Sequence, residues 1–146
     1  MTSTVCVLAL AASLANPTAI ARETKAAAGT WAVVGMVMNG EEIPEAGYKT
    51  LRMVLTETTA TALNGTDTIA DGKFQIVGVI GKRVLFDLTM GAGPDNGKTF
   101  PALNEWVDKD TLRTCMAQPG QPRPSSVESE KGDRRAVFVL KRVKAK

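Results

Sequence analysis

Few side chains in this chain are able to do chemistry, and histidine is absent altogether. Its absence removes Ser-His and Cys-His nucleophile pairs, histidine-containing zinc sites and an imidazole general base in one step. Cysteine offers no substitute. Cys6 falls in an apolar N-terminal run, too early and with the wrong neighbours for a lipid anchor, and Cys115 stands alone in the rest of the chain. With Leu112 and Met116 as its apolar neighbours and no base to take its proton, Cys115 reads as a buried small hydrophobe. A single thiol makes no internal disulfide, so the fold has to rest on its core. The 15 Asp and Glu residues are scattered singly or sit in turn-like stretches, so spacing alone assembles no carboxylate pair. The expectation is a protein that is not an enzyme, with no metal and no cofactor.

Three further patterns carry chemistry elsewhere and have blander readings here. Ala92-Gly93-Pro94-Asp95-Asn96-Gly97-Lys98-Thr99 satisfies a relaxed phosphate-loop pattern, but such a loop works by leading into a helix whose N-terminus faces the phosphates. Pro101 and a strand-like run follow instead, so nucleotide binding is not expected. Asn64-Gly65-Thr66 fits the N-glycosylation pattern and equally a hairpin turn, in which Asn-Gly supplies the positive φ angles. Arg134, Arg135, Lys141, Lys144 and Lys146 form a basic group near the C-terminus, yet the net charge is only +3 and aromatic residues are 5% of the chain. Nucleic-acid binding calls for denser charge with stacking rings, so these residues read as solvation and edge protection.

The elements that would position a site begin after residue 21. Val5 to Ala15 is a short apolar run and Ala19-Ile20-Ala21 precedes Arg22, the small-x-small pattern of a secretory leader, so residues 1–21 read as a signal peptide. The run is too short to span a membrane and Asn16-Pro17 interrupts it. Residues 22–28 read as a tether, residues 29–146 as a single domain, and the location as secreted or periplasmic.

From Gly29 onward the chain is written in strands. Trp31–Met38, Leu51–Thr56, Thr59–Leu63, Lys73–Val79, Arg83–Met90, Thr99–Val107, Thr111–Ala117 and Ala136–Val143 are each apolar or alternating runs of strand length. Turn residues such as Asn39-Gly40, Asn64-Gly65, Asp71-Gly72, Gly81 and Asp108-Lys109-Asp110 separate them. The segment Glu41–Lys49 reads as a lid or an irregular turn, and Pro119–Asp133 as a long polar loop with a minor strand near Val127. No long amphipathic helix is expected. The prediction is all-β: an eight-stranded antiparallel up-and-down barrel, closed by pairing its first strand with its last.

Parity assigns the faces of that barrel. Trp31, Val33, Gly35 and Val37 share one face of the first strand, and Phe138, Leu140 and Arg142 share one face of the last. Arg142 can then lie over Trp31 and plug the closed end, a cation–π contact of about 0.5 to 2 kcal/mol; its other reading is a solvated terminal charge. Met53, Leu55, Phe86, Leu88, Leu112, Met116 and Phe138 are the candidate interior residues, lining either a site for a small hydrophobic ligand or a filled core. An apolar interior above about 300 Å³ would favour a ligand carrier. A filled one would favour a protein-interaction module working through the loops Gly91–Lys98 and Pro119–Asp133.

Gly29-x-Trp31 in the first strand with Arg142 in the last resembles the lipocalin and lipocalin-like barrels, in which such residues pack together at the closed end. A narrower resemblance runs from Gly29 to the C-terminus. Gly29-Thr30-Trp31, Gly40-Glu41-Glu42-Ile43-Pro44, Leu51–Leu55, Gly97-Lys98-Thr99, the block Leu112–Pro124 with its Cys115 and Pro119-Gly120-Gln121-Pro122-Arg123-Pro124 tail, and Phe138–Arg142 resemble an uncharacterised secreted domain family expanded in planctomycetes. Ala102-Leu103-Asn104-Glu105-Trp106 and the aliphatic Val127 depart from that pattern. The resemblance implies a lipocalin-like barrel and export, without implying a chemistry.

Overall fold

The computed structural model describes residues 16–144. Most of the expected leader, with Cys6, and Lys146 of the basic group lie outside the described residues. The described chain opens on a helix, α1, Pro17–Ala27. The Asn16 side chain caps it by accepting from the N–H groups of Thr18 and Ala19, and Pro17 occupies the first turn, where its missing N–H costs nothing. Residues 22–27 are therefore helical where a tether was expected, and a cut after Ala21 would fall inside α1. Asn16-Pro17, which interrupts the apolar run, is also a helix-start signal.

Nine strands follow: β1 Gly29–Met38, β2 Glu41–Glu42, β3 Leu51–Leu55, β4 Thr59–Asn64, β5 Asp67–Ile80, β6 Arg83–Met90, β7 Thr99–Asp108, β8 Thr111–Met116 and β9 Ala136–Arg142. All pairings are antiparallel. Strands β3 to β9 pair in sequence order, β1 joins β3, and β1 also pairs β9, closing an eight-stranded barrel with the two-residue β2 as an appendage on β1. The closure leaves no open edge in the wall. It is the lipocalin-like architecture that the strand pattern predicts.

Four bulges, at Val34, Ile69, Val77 and Val107, and one continuous strand depart from simple alternation. In β1 the register passes from Val33↔Leu140 to Gly35↔Val139, so Val34 is the extra residue and the faces exchange beyond it. Val33 faces inward as expected, but Met36 then takes the inward place in the upper half, correcting the expectation for Gly35 and Val37; Val37 packs on the outer wall. A second bulge, between Ala62 and Leu63, is matched by Ile69 on β5. The Asp71-Gly72 pair is no turn: β5 runs straight through it, pairing with β4 on one side and β6 on the other. Glycine is needed there for space, because a Cβ on Gly72 would stand 2.5 Å from the Thr89 carbonyl oxygen.

The long connection between β8 and β9 contains no strand near Val127. It folds back on the outer wall, burying Val127 against Leu103, Cys115 and Val137, with Val37 and Leu85 alongside. Arg123 anchors it, donating to the carbonyls of Phe86 and Ala102 and pairing with Asp87 at 2.6 Å. At its far end Asn39, in the left-handed region at φ 51°, accepts from the N–H groups of Gly132 and Arg134. Gly40 lies so close to Lys131 that a Cβ would meet its backbone nitrogen. The loop is thus a second layer of the wall.

Candidate functional site

One end of the barrel is a built floor. Trp31 is fully buried, its register partner across the closing seam is Arg142, and the guanidinium lies 4.4 Å from the indole centroid. Arg142 also donates to the carbonyls of Ala26 and Ala28 and pairs with Asp110 at 3.3 Å. The Trp31 Nε1–H donates to the Ala27 carbonyl at 2.9 Å. The end of α1 and the residue after it therefore have three consecutive carbonyls received by side chains of the barrel, and a cation sits where the helix dipole favours one. Trp106 completes the floor 6.1 Å from Trp31, with its Nε1–H donating to Glu23 Oε2 at 2.8 Å, while Ile20 packs against the buried cluster that includes Ile76, Val84 and Phe86. Both indoles of the chain are tied to one helix.

Above this floor the barrel is hollow. The cavity measures about 340 Å³. Met53, Leu55, Phe86, Leu88, Leu112, Met116 and Phe138 all line it, seven residues that strand parity alone places on the inner face. The structure adds Met36, turned inward by the β1 bulge, and Glu23 and Ala27 from α1. At the other end the lining includes Leu51, Ile69, Asp71 and Met90, where β3, β5 and β6 reach their upper loops; Ile69 is 56% exposed there. Acidic Glu23 and Asp71 and basic Arg52 are the charged residues of the lining. Arg52 Nη1 donates to the carbonyls of Lys49 and Leu51.

Sequence reasoning missed one polar feature of the wall. Asn104 on β7 and Thr114 on β8 are register partners, both line the cavity, and the Thr114 hydroxyl donates to Asn104 Oδ1. The same alternation that assigned Leu112 and Met116 puts Thr114 between them, and cross-strand pairing then brings Asn104 to it. The signal was therefore present once the β7–β8 register was known.

Other candidates resolve elsewhere. Cys115 is buried on the outer wall beneath the β8–β9 loop, where burial pushes its thiol up from the ordinary cysteine value. The phosphate-loop-like stretch leads straight into β7 at Thr99, with Lys98 paired to Asp95 at 3.4 Å and no helix beyond it. The β4–β5 turn is Gly65-Thr66, with Gly65 at φ 64°, and Asn64 closes β4 opposite Asp67, its Oδ1 accepting from the Thr50 hydroxyl, so only the glycine of the Asn-Gly pair supplies a positive φ. Among the described residues no three His, Cys, Asp or Glu side chains form a group able to hold a metal ion, and no helix is long and apolar enough to cross a membrane. No protein-family model, curated protein or solved structure matches the chain.

Proposed function

We propose that this chain is an exported carrier of one small apolar or amphipathic molecule, held in the barrel cavity. The observation that supports the reading is the hollow interior itself. At about 340 Å³ it lies above the ~300 Å³ at which ligand pockets begin. The volume is worth roughly eleven waters at ~30 Å³ each, but aliphatic, Met and Phe side chains dominate the lining and offer few bonds to water. An apolar guest fits such a space better than solvent does. Export is inferred from the apolar N-terminal run and the small-x-small pattern before Arg22.

The β8–β9 loop, the main surface for the alternative of a protein-interaction module, spends Val127 and Arg123 on its own barrel. Both tryptophans stand at the cavity floor and serve as reporters. Titration with 1-octanol or with N-phenyl-1-naphthylamine is expected to shift tryptophan emission saturably, and native mass spectrometry is expected to show a one-to-one adduct. Absence of both signals up to the solubility limit of each compound would refute the carrier. N-terminal sequencing of protein recovered from the extracytoplasmic fraction tests export; an intact Met1 confined to the cytoplasm would refute it.

A further inference from the structure

We infer that the guest is an uncharged amphipathic molecule whose oxygen is received by Asn104 and Thr114, an inference that rests on the carrier reading above. The two side chains form a polar point on an otherwise apolar stretch of wall, flanked by Leu112 and Met116 on β8 and by Ala102 and Trp106 on β7. Thr114 is only 6% exposed, so its hydroxyl must find its partner inside the protein. Its proton goes to Asn104 Oδ1. This leaves the two Asn104 Nδ2 protons, which have no acceptor among the described residues, and the lone pairs of the Thr114 oxygen. A carbonyl or hydroxyl oxygen on the guest accepts from Asn104, and a hydroxyl can also donate to Thr114. A pure hydrocarbon leaves these groups unpaired in a dry site, which is costly.

The same lining disfavours an anion. Glu23 is acidic, while Arg52 and Asp71 alternate with the inward-facing Met53 on β3 and Phe74 on β5, so their side chains belong to the outer face of the wall. A carboxylate would enter a low-dielectric space with no inward-facing cation to meet it. A cation would find Glu23 at the floor, but its carboxylate already accepts from Trp106 and lies 3.7 Å from Arg22.

The test is displacement of N-phenyl-1-naphthylamine by three eight-carbon competitors, 1-octanol, n-octane and octanoate, from the native chain and from Asn104→Leu. Asn104→Leu is expected to weaken 1-octanol at least tenfold, leave octane within about twofold, and keep dye binding, which also shows that the barrel has folded. Thr114→Val, nearly isosteric, is expected to move octanol in the same direction and decides the matter if the leucine variant does not fold. Octanoate is expected to compete at least tenfold more weakly than octanol with the native chain. Equal losses for octanol and octane, no loss for either, or octanoate as strong as octanol would overturn the inference while leaving the carrier standing. Failure of the dye and all three competitors to bind the native chain would remove the carrier reading and this inference with it.

Discussion

Arg142 ties the end of α1, the first strand and the β7–β8 turn to the last strand. It stacks on Trp31, receives two carbonyls from the end of α1 and its flanking residue, and pairs with Asp110, all from within the closing seam. Lysine keeps the charge but loses the planar fork that makes these contacts together. Arg142→Lys is expected to destabilise the fold by about 2 kcal/mol, read as a lower urea midpoint at unchanged slope. A midpoint equal to that of the native chain would show that the floor is held by Trp31 alone. Asp133 plays a comparable part in the upper loop. Desolvation pushes its carboxyl up, but the N–H groups of Glu130 and Arg135 and the Ser129 hydroxyl, with Arg135 nearby, hold it below the ordinary aspartate value. A carboxyl lowered on folding stabilises above its unfolded value, ~3.9, and loses that contribution as pH falls through its folded value. Hydrogen-exchange protection across residues 128–135, taken relative to the intrinsic rate at each pH, is expected to fall below about pH 4, and Asp133→Asn to show the lowered protection already at neutral pH. Protection that is insensitive to both changes would assign the loop's order to Val127 and Arg123 instead.

Among the elements, β5 and β6 approach each other closely at Gly72. Gly→Ala commonly stabilises a chain by restricting its unfolded state, by about 0.4 to 1 kcal/mol. Here the added methyl would overlap the Thr89 carbonyl, so Gly72→Ala is expected to cost about 2 to 4 kcal/mol in thermal or urea unfolding. A neutral or stabilising effect would mean that the two strands separate easily. The same residue shows where reading elements from sequence succeeded and where it stopped. Asp71-Gly72 has turn composition, but its role is set by Thr89 on another strand, which local pattern does not reveal. The eight barrel strands were legible because each is an apolar or alternating run bounded by turn residues, and the seam was legible because Trp31 and Arg142 fall on matching faces. The extra residue at Val34 was not, since nothing in Trp31–Met38 distinguishes a bulge from regular alternation, and it moved Met36 into the interior. Helix α1 was signalled by Asn16-Pro17 but obscured by the leader-like stretch that precedes it.

The whole molecule is a hollow wall with a floor and a partial outer layer, and under the carrier reading proposed above its stability and its capacity to hold a guest are opposed. Ala62 lines the cavity from β4. Ala62→Leu fills part of the void from that wall and is expected to raise stability by about 0.5 to 2 kcal/mol, measured by thermal unfolding, while weakening 1-octanol at least tenfold. A variant more stable and still able to bind would place the guest elsewhere. The interior was the part of the site most legible in sequence: alternation fixes which side chains face inward, and seven of the lining residues follow from it. Volume was not legible, because whether Met53, Phe86 and Phe138 meet across the axis or stand apart depends on the barrel's circumference. The polar point at Asn104 and Thr114 depended in turn on a register that alternation leaves open.

The seam between β1 and β9 also sets when the chain is able to fold. Trp31 is made well before Arg142, so until β9 is made the opening strand has β3 on one side and no partner on the seam side. The tryptophan has no guanidinium above it until then, and the cylinder cannot shut. Long-range pairing of this kind delays folding until the distant partner arrives. A growing chain that must wait for β9 holds its other strands as an open, unshut sheet until that strand arrives.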